Sequence, residues 1–348
     1  MAYSTISKPG LHHNTVTYAG NGGTNAITGV GFQPDMVWTK NRSASANNLL
    51  YDAVRGAGYY LYPNLTNGQG GNGTSALDSF DSDGFTLDGG DDSNVNGQNG
   101  VAWTWKGGNS AGSSNTDGSI TSTVSANTTA GFSIVKYTGT GATATVGHGL
   151  GAVPGMLIIK RYSDAGEQWT IYHKSLGNTK HILFTTGAAV TQANYWNDTS
   201  PTSSVWTMGN QSEVNGNGTT NICYAFAEKQ GYSKFGSYTG NGNGPDGTFV
   251  YTGFKPAFLL IKRTDTTKNW FLHDYKRLGY NPKNEYLHPN LNSAETTSTE
   301  LDILSNGFKL LNSGSGHNAS GGTYIYMAFA EEPIVANVGA NGIPATAR

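Results

Sequence analysis

Gly253–Lys262 reads GFKPAFLLIK, and the same plan stands twice more: GFQPDMVWTK at Gly31–Lys40 and GAVPGMLIIK at Gly151–Lys160. Each copy is a Gly, two residues, a Pro, then an apolar run closing on Lys. Upstream of each stands a Tyr-led glycine turn, YAGNG at Tyr18, YTGTG at Tyr137 and YTGNG at Tyr238. Downstream come NLLYD, WTIYH and WFLHD, ending at Asp52, His173 and Asp274, and each unit finishes on VAWTWK, CYAFAE or YMAFAE. Landmarks recurring in one order mark internal repeats of about 100 residues. The octapeptides YLYPNLTN (Tyr60–Asn67) and YLHPNLNS (Tyr286–Ser293) are one position of that unit, held in the middle copy by HILFTTGA (His181–Ala188).

The local patterns are those of strands. The β-branched and aromatic run after each Pro fits a strand whose first position is Pro, where no ladder bond is lost. Two apolar runs around RYSDAGEQ or RTDTTKN read as hairpins, and DGFTL and NGFKL as Asx-Gly turns entering strands. No helical periodicity longer than two turns is present. The expected fold is all-β: three tandem β-sandwich (jelly-roll-like) repeats, at residues 15–107, 120–230 and 231–332. Leu157, Ile159, Leu259 and Ile261 are expected in the core. Residues 1–14 read as an N-terminal arm, 333–348 as an extended C-terminal tail, and the Gly/Ser-rich residues 108–119 as a flexible linker. These readings predict a compact pair of units two and three, a first unit that swings, and termini that order only against partners. The stretch 120–137 alternates and suggests an extra strand.

Composition narrows the function. The 348 residues carry a net charge of −2 and are only 13% charged, with 49 Gly and 11% aromatics. No basic surplus exists to bind a phosphate backbone, so nucleic acid is not an expected partner. The single Cys223 excludes an internal disulfide and a cysteine zinc cluster. Neither a signal peptide nor a membrane span is apparent, and no cofactor is expected.

Chemical motifs are few. GNSAG (Gly108–Gly112) matches a nucleophile elbow but lacks the strand-to-helix setting. GTGATA and GNGNG lack the helix that would hold a phosphate, and read as turns. The acidic run Asp78–Asp92 offers Asp81, Asp83, Asp88 and Asp91 to calcium, but without EF-hand spacing, so a solvated turn is the simpler reading. Trp169 and Trp270 occupy equivalent positions where unit one has Asn48; each is suited to stack on a sugar or to pack under its loop. The hairpin loops carry Tyr162, Asp164 and Asp265, further candidates for ligand binding.

The ordered landmarks YTGNG, GFxPxxxxxK, YD or HD, YLxxNL, DGFxL and YxAFAE resemble an uncharacterised repeat-domain family found in structural proteins of tailed bacteriophages, especially those of marine bacteria and cyanobacteria. The ending NGIPATAR resembles the C-terminus of such proteins. The resemblance spans nearly the whole chain and brings no catalytic residues. It implies a non-enzymatic virion protein on the particle exterior, as a tail appendage, fibre or head-decoration subunit made in the host cytoplasm. Its partners would be other virion proteins, copies of itself and a host-surface glycan. The alternatives are a glycan-binding adhesin and a polysaccharide depolymerase.

Overall fold

The computed structural model describes residues 4–71, 77–89, 92–278, 280–338 and 341–344. The chain is all-β. Unit one contains β1 (His13–Ala19), β2 (Asn25–Thr28), β3 (Met36–Asn41), β4 (Leu49–Asp52), β5 (Leu77–Asp81), β6 (Gly84–Leu87) and β7 (Asn99–Trp105). An antiparallel sheet in the order β1-β7-β3-β4 packs on a second sheet, β2-β6-β5.

Unit two contains β8 (Ser113–Asn115), β9 (Ser122–Asn127), β10 (Phe132–Thr138), β11 (Ala144–Gly147), β12 (Pro154–Arg161), β13 (Thr170–His173), β14 (Lys180–Leu183), β15 (Val190–Thr191), β16 (Val205–Met208) and β17 (Thr220–Ala227). Its larger sheet runs β15-β14-β13-β12-β17-β10-β9-β8, and β11 pairs with β16. Unit three contains β18 (Ser233–Thr239), β19 (Phe249–Tyr251), β20 (Phe254–Arg263), β21 (Trp270–Asp274), β22 (Lys283–Tyr286), β23 (Thr296–Leu304), β24 (Gly307–Leu310) and β25 (Thr323–Pro333). Its sheets are β18-β25-β20-β21 and β19-β24-β23-β22.

The same four-strand order therefore recurs, and so does its register. Met36 lies opposite Asp52 and Trp105, Met156 opposite His173 and Phe226, and Phe258 opposite Asp274 and Phe329. The prolines are less uniform than expected. Pro154 opens β12, Pro34 precedes β3, and Pro256 sits inside β20 at a register shift. A bulge there leaves the missing N–H without a ladder partner to lose.

Why these strands are apolar on both sides is explained by two sets of cores. Val37, Leu157, Ile159, Leu259 and Ile261 face the sandwich of their own unit. Alternate residues on the same strands, Met36 and Trp38, Met156 and Ile158, Phe258 and Leu260, face one core common to all three units. Trp103, Trp105, Tyr224, Phe226, Met327 and Phe329, from the three closing strands, fill it. Aromatic edges meet across unit boundaries, as Trp105 does with Phe226, Phe258 and Phe329 at centroid distances of 6.2, 5.3 and 5.7 Å. Such offset contacts add to the burial itself.

This overturns the expected swinging first unit. It also overturns the flexible linker at 108–119, which is fastened at both ends. Gly107 and Asn109 donate their N–H groups to Asp35 Oδ2, and Gly108 N–H donates to Ser125 Oγ at 3.1 Å. Residues 113–115 form β8 on the edge of β9, which is the extra strand that the alternation suggested. The glycines there serve close approach: a Cβ on Gly118 would lie 2.4 Å from the carbonyl oxygen of Thr145.

The termini also differ from expectation. Within the N-terminal arm Ile6 is buried in the common core and Ser4 packs on Gly231, so the described part of the arm is ordered by this chain itself. The tail forms a hairpin, β26 (Val335–Val338) with β27 (Asn341–Pro344), instead of an extended arm, because its backbone groups pair with each other. Residues 345–348 lie outside the described residues.

Candidate functional site

The two candidate tryptophans lead to the most elaborately built places in the molecule. Trp169 and Trp270 are buried, with no ring face open to a sugar. Trp169 Nε1–H donates to the carbonyl of Tyr62 in unit one at 2.8 Å. Trp270 Nε1–H donates to the carbonyl of Leu183 in unit two at 2.9 Å. Asn48, their counterpart in unit one, donates from Nδ2 to the carbonyls of His288 and Leu291 in unit three, at 3.3 and 2.9 Å. Tyr62, Leu183 and His288 hold the third place of the repeated octapeptide. The octapeptide recurs because it is the acceptor in a joint made three times around a ring.

The hairpin loops belong to the same joints. Tyr162 accepts Gln69 N–H, Thr264 accepts Ala189 N–H, and Arg42 accepts Glu295 N–H, at 2.9, 2.9 and 3.0 Å. In return Gly166, Lys268 and Ala46 donate to the carbonyls of Thr66, Thr186 and Asn292, at 3.0, 2.9 and 2.8 Å. Asp164 and Asp265 are exposed, and each pairs with an arginine two or three residues back, Arg161 and Arg263. The loops are thus sewn to the neighbouring unit by main-chain bonds; Tyr162 and Asp164 share the joint with unit one, while Asp265 stands on the joint between units two and three.

Sequence reasoning missed the lysines, although each closes a repeated motif. Lys40, Lys160 and Lys262 are buried. Their ammonium groups reach the carbonyls of Asn292, Thr66 and Thr186 across the joints, at 3.4, 3.2 and 2.9 Å. Burial pulls all three pKa values down to about 8. A lysine ending an otherwise apolar run three times over was the available signal.

The ends of β4, β13 and β21 close the ring nearer its centre. Asp52 Oδ2 accepts the hydroxyl of Tyr224 at 2.7 Å. His173 Nε2–H donates to the carbonyl of Tyr326 at 3.1 Å. Asp274 Oδ2 accepts Trp103 Nε1–H at 3.0 Å. Each contact crosses to the next unit. The two carboxylates also hold buried guanidinium groups, Arg55 and Arg277. Where unit two has His173 in place of Asp, Leu176 stands in place of Arg, so the charge is removed on both sides.

Within each unit one asparagine clasps the glycine turn. Asn94, Asn215 and Asn318 accept the N–H groups of Asn21, Thr140 and Asn241. The turn tyrosines Tyr18, Tyr137 and Tyr238 donate to the carbonyls of Ser93, Val214 and His317. The glycine-rich stretches are turns with their amide groups already engaged. Ser110 in GNSAG is followed by β8 and no helix.

The acidic candidates separate. Asp81 accepts from Ser79 and Thr86, Asp83 caps the amides of Gly29 and Gly31, and Asp88 accepts from Thr24 and Gly89. Asp91 lies outside the described residues. Among the described residues no group of three or more His, Cys, Asp or Glu is placed to hold a metal ion. No helix among them is long and apolar enough to cross a membrane.

Histidines make the fold sensitive to acid. Burial lowers His13 to about 3 and His173 and His181 to about 4, and lowers His12, His148, His273 and His288 as well. In unit three His273 Nε2 lies 3.0 Å from His317 Nε2, whose other nitrogen meets Glu300 at 2.9 Å. Below the ordinary value of 6.5 the unfolded chain takes up protons that the folded chain refuses. The histidines' contribution to stability is therefore complete above about pH 6.5 and is lost as the pH drops toward 4. His173 alone accounts for about 3 kcal/mol at the acid end. Thermal unfolding from pH 7 to 4 should show Tm dropping through this window. His173→Gln, which keeps the donor without the titration, should flatten the curve.

A search of curated proteins and of solved structures finds no match to this chain. A family model described as a domain of unknown function, DUF7483, matches residues 8–333, from the first turn to the end of the last large strand. The matched span takes in all three units and every joint between them, and the chain belongs to that family.

Proposed function

We propose that this chain is a non-enzymatic structural subunit on the exterior of a bacteriophage particle, in a tail appendage or on the head. The observation that carries the reading is the cyclic joint. The repeated lysines and tryptophans, with Asp52 and Asp274, bind one unit to the next. This is how a rigid building block is made. The resemblance of the repeated landmarks to phage structural proteins supplies the setting. A surface rich in uncharged polar residues suits a hydrated exterior.

The test is made on purified particles. Antibody against this protein should label intact particles by electron microscopy, and the protein should appear among their components by mass spectrometry. Its absence from purified particles would overturn the reading. Release of reducing sugar from host envelope material by the purified protein would overturn its non-enzymatic part.

A further inference from the structure

Three copies of one scaffold allow an internal comparison, and unit three departs from the others at one exposed place. Strand β19 is the edge of its sheet and alternates. Val250 points into the sandwich, while Phe249 and Tyr251 point outward, 46% and 49% exposed. Register fixes the equivalent positions. Val250 lies opposite Phe308, as Ile27 does opposite Phe85 and Val146 opposite Trp206. The equivalent neighbours in unit one are Ala26 and Thr28, both exposed, and in unit two Thr145 and Gly147, which residues 115–120 cover. The scaffold does not need aromatic rings there, and exposing two of them forgoes burial that a fold ordinarily exploits.

Beside Tyr251 lies a cleft of about 510 Å³, between this edge and the connection from unit two to unit three. That size falls within the range of small-molecule sites, about 300–1,000 Å³. Glu228, Gln230, Ser233, Lys234 and Thr252 line it with Tyr251. They offer acceptors and donors in nearly equal supply. Lys234 Nζ stands 5.3 Å from the centre of the Tyr251 ring, and the one carboxylate of the lining, Glu228, is paired with Lys174 outside it. Lys234 is also particular to unit three: the register of β18 places Asn14 and Ser133 at its position in the other units. A second cleft, at the connection of units one and two, measures about 340 Å³ and is lined by small residues such as Gly108, Ser110 and Gly149, without an aromatic ring.

We propose that the cleft beside Tyr251 binds a neutral pyranose sugar. An aromatic face meets the C–H face of the sugar ring, and the carboxylate, amide, hydroxyls and ammonium meet its equatorial hydroxyls. Phe249, two residues along the same face, extends the platform toward a neighbouring sugar. The proposal concerns the surface of unit three and does not depend on where in a particle the protein sits.

The test uses the full chain and the methyl glycosides of glucose, galactose, mannose and N-acetylglucosamine, with glucuronate as a charged arm. Binding is followed by saturation-transfer NMR and by titration. At least one neutral glycoside should bind with a millimolar Kd. Tyr251→Ser should weaken it about tenfold or more, and Gln230→Ala should weaken it severalfold. Both variants should keep the Tm of the parent, since small residues fill the Tyr251 position in the other units. Three results would overturn the proposal: no binding of any neutral glycoside, binding of glucuronate alone, or binding unchanged in both variants.

Discussion

Trp103→Ala should cost about 3–5 kcal/mol, the range for truncating a buried tryptophan. Trp103 is fully buried on β7, meets Trp38 and Phe258 edge-on at 5.9 and 6.3 Å, and donates to Asp274 of unit three. The change leaves a cavity in the common core and removes a buried partner from a carboxylate. Because that core belongs to all three units, the loss should fall on the whole molecule. In urea titrations the midpoints by tryptophan fluorescence and by far-ultraviolet circular dichroism should drop together. A fluorescence midpoint that falls alone would show unit one unfolding independently.

Asp52→Ala should be comparably damaging. It strands the buried guanidinium of Arg55, which Asp52 holds at 2.5 Å, and deprives the Tyr224 hydroxyl of its acceptor. Removing one partner of a buried ion pair costs about 3–5 kcal/mol, more than the pair contributes net. Unit two shows the neutral solution, His173 with Leu176. The double change Asp52→His with Arg55→Leu should therefore recover much of the stability that Asp52→Ala loses. The urea midpoints of the two variants and the parent give the comparison. Equal destabilisation of both variants would mean that the charge is required in unit one itself.

Much of the fold was legible because the repeated landmarks mark strand beginnings and ends. Pro154 opens a strand, Asp52, His173 and Asp274 end strands, and DGFTL and NGFKL do contain Asx-Gly turns. The common core was not legible. Sequence shows that Met156, Leu157, Ile158 and Ile159 are all apolar, and so that the strand is covered on both faces, but it does not say by what. Residues 108–119 misled because glycine serves both free loops and close backbone approach, and only the neighbours of Gly108 and Gly118 distinguish the two. The candidate site failed for a related reason. A tryptophan beside a loop can stack on a ligand or cap a neighbour's carbonyl, and Trp169 and Trp270 do the second. The exposed pair Phe249 and Tyr251 went unremarked because an isolated three-residue strand carries no sign of which face is covered.

Three units closed into one ring by a shared core should open together. Native-state hydrogen exchange in increasing denaturant reads this directly, since each amide reports the free energy of the opening that exposes it. Amides of β3, β12 and β20, one strand from each unit, should converge on a single opening free energy with the same denaturant dependence. A lower, separate value for β3, with β12 and β20 still protected, would contradict the closed ring and restore a first unit tethered to an independent pair.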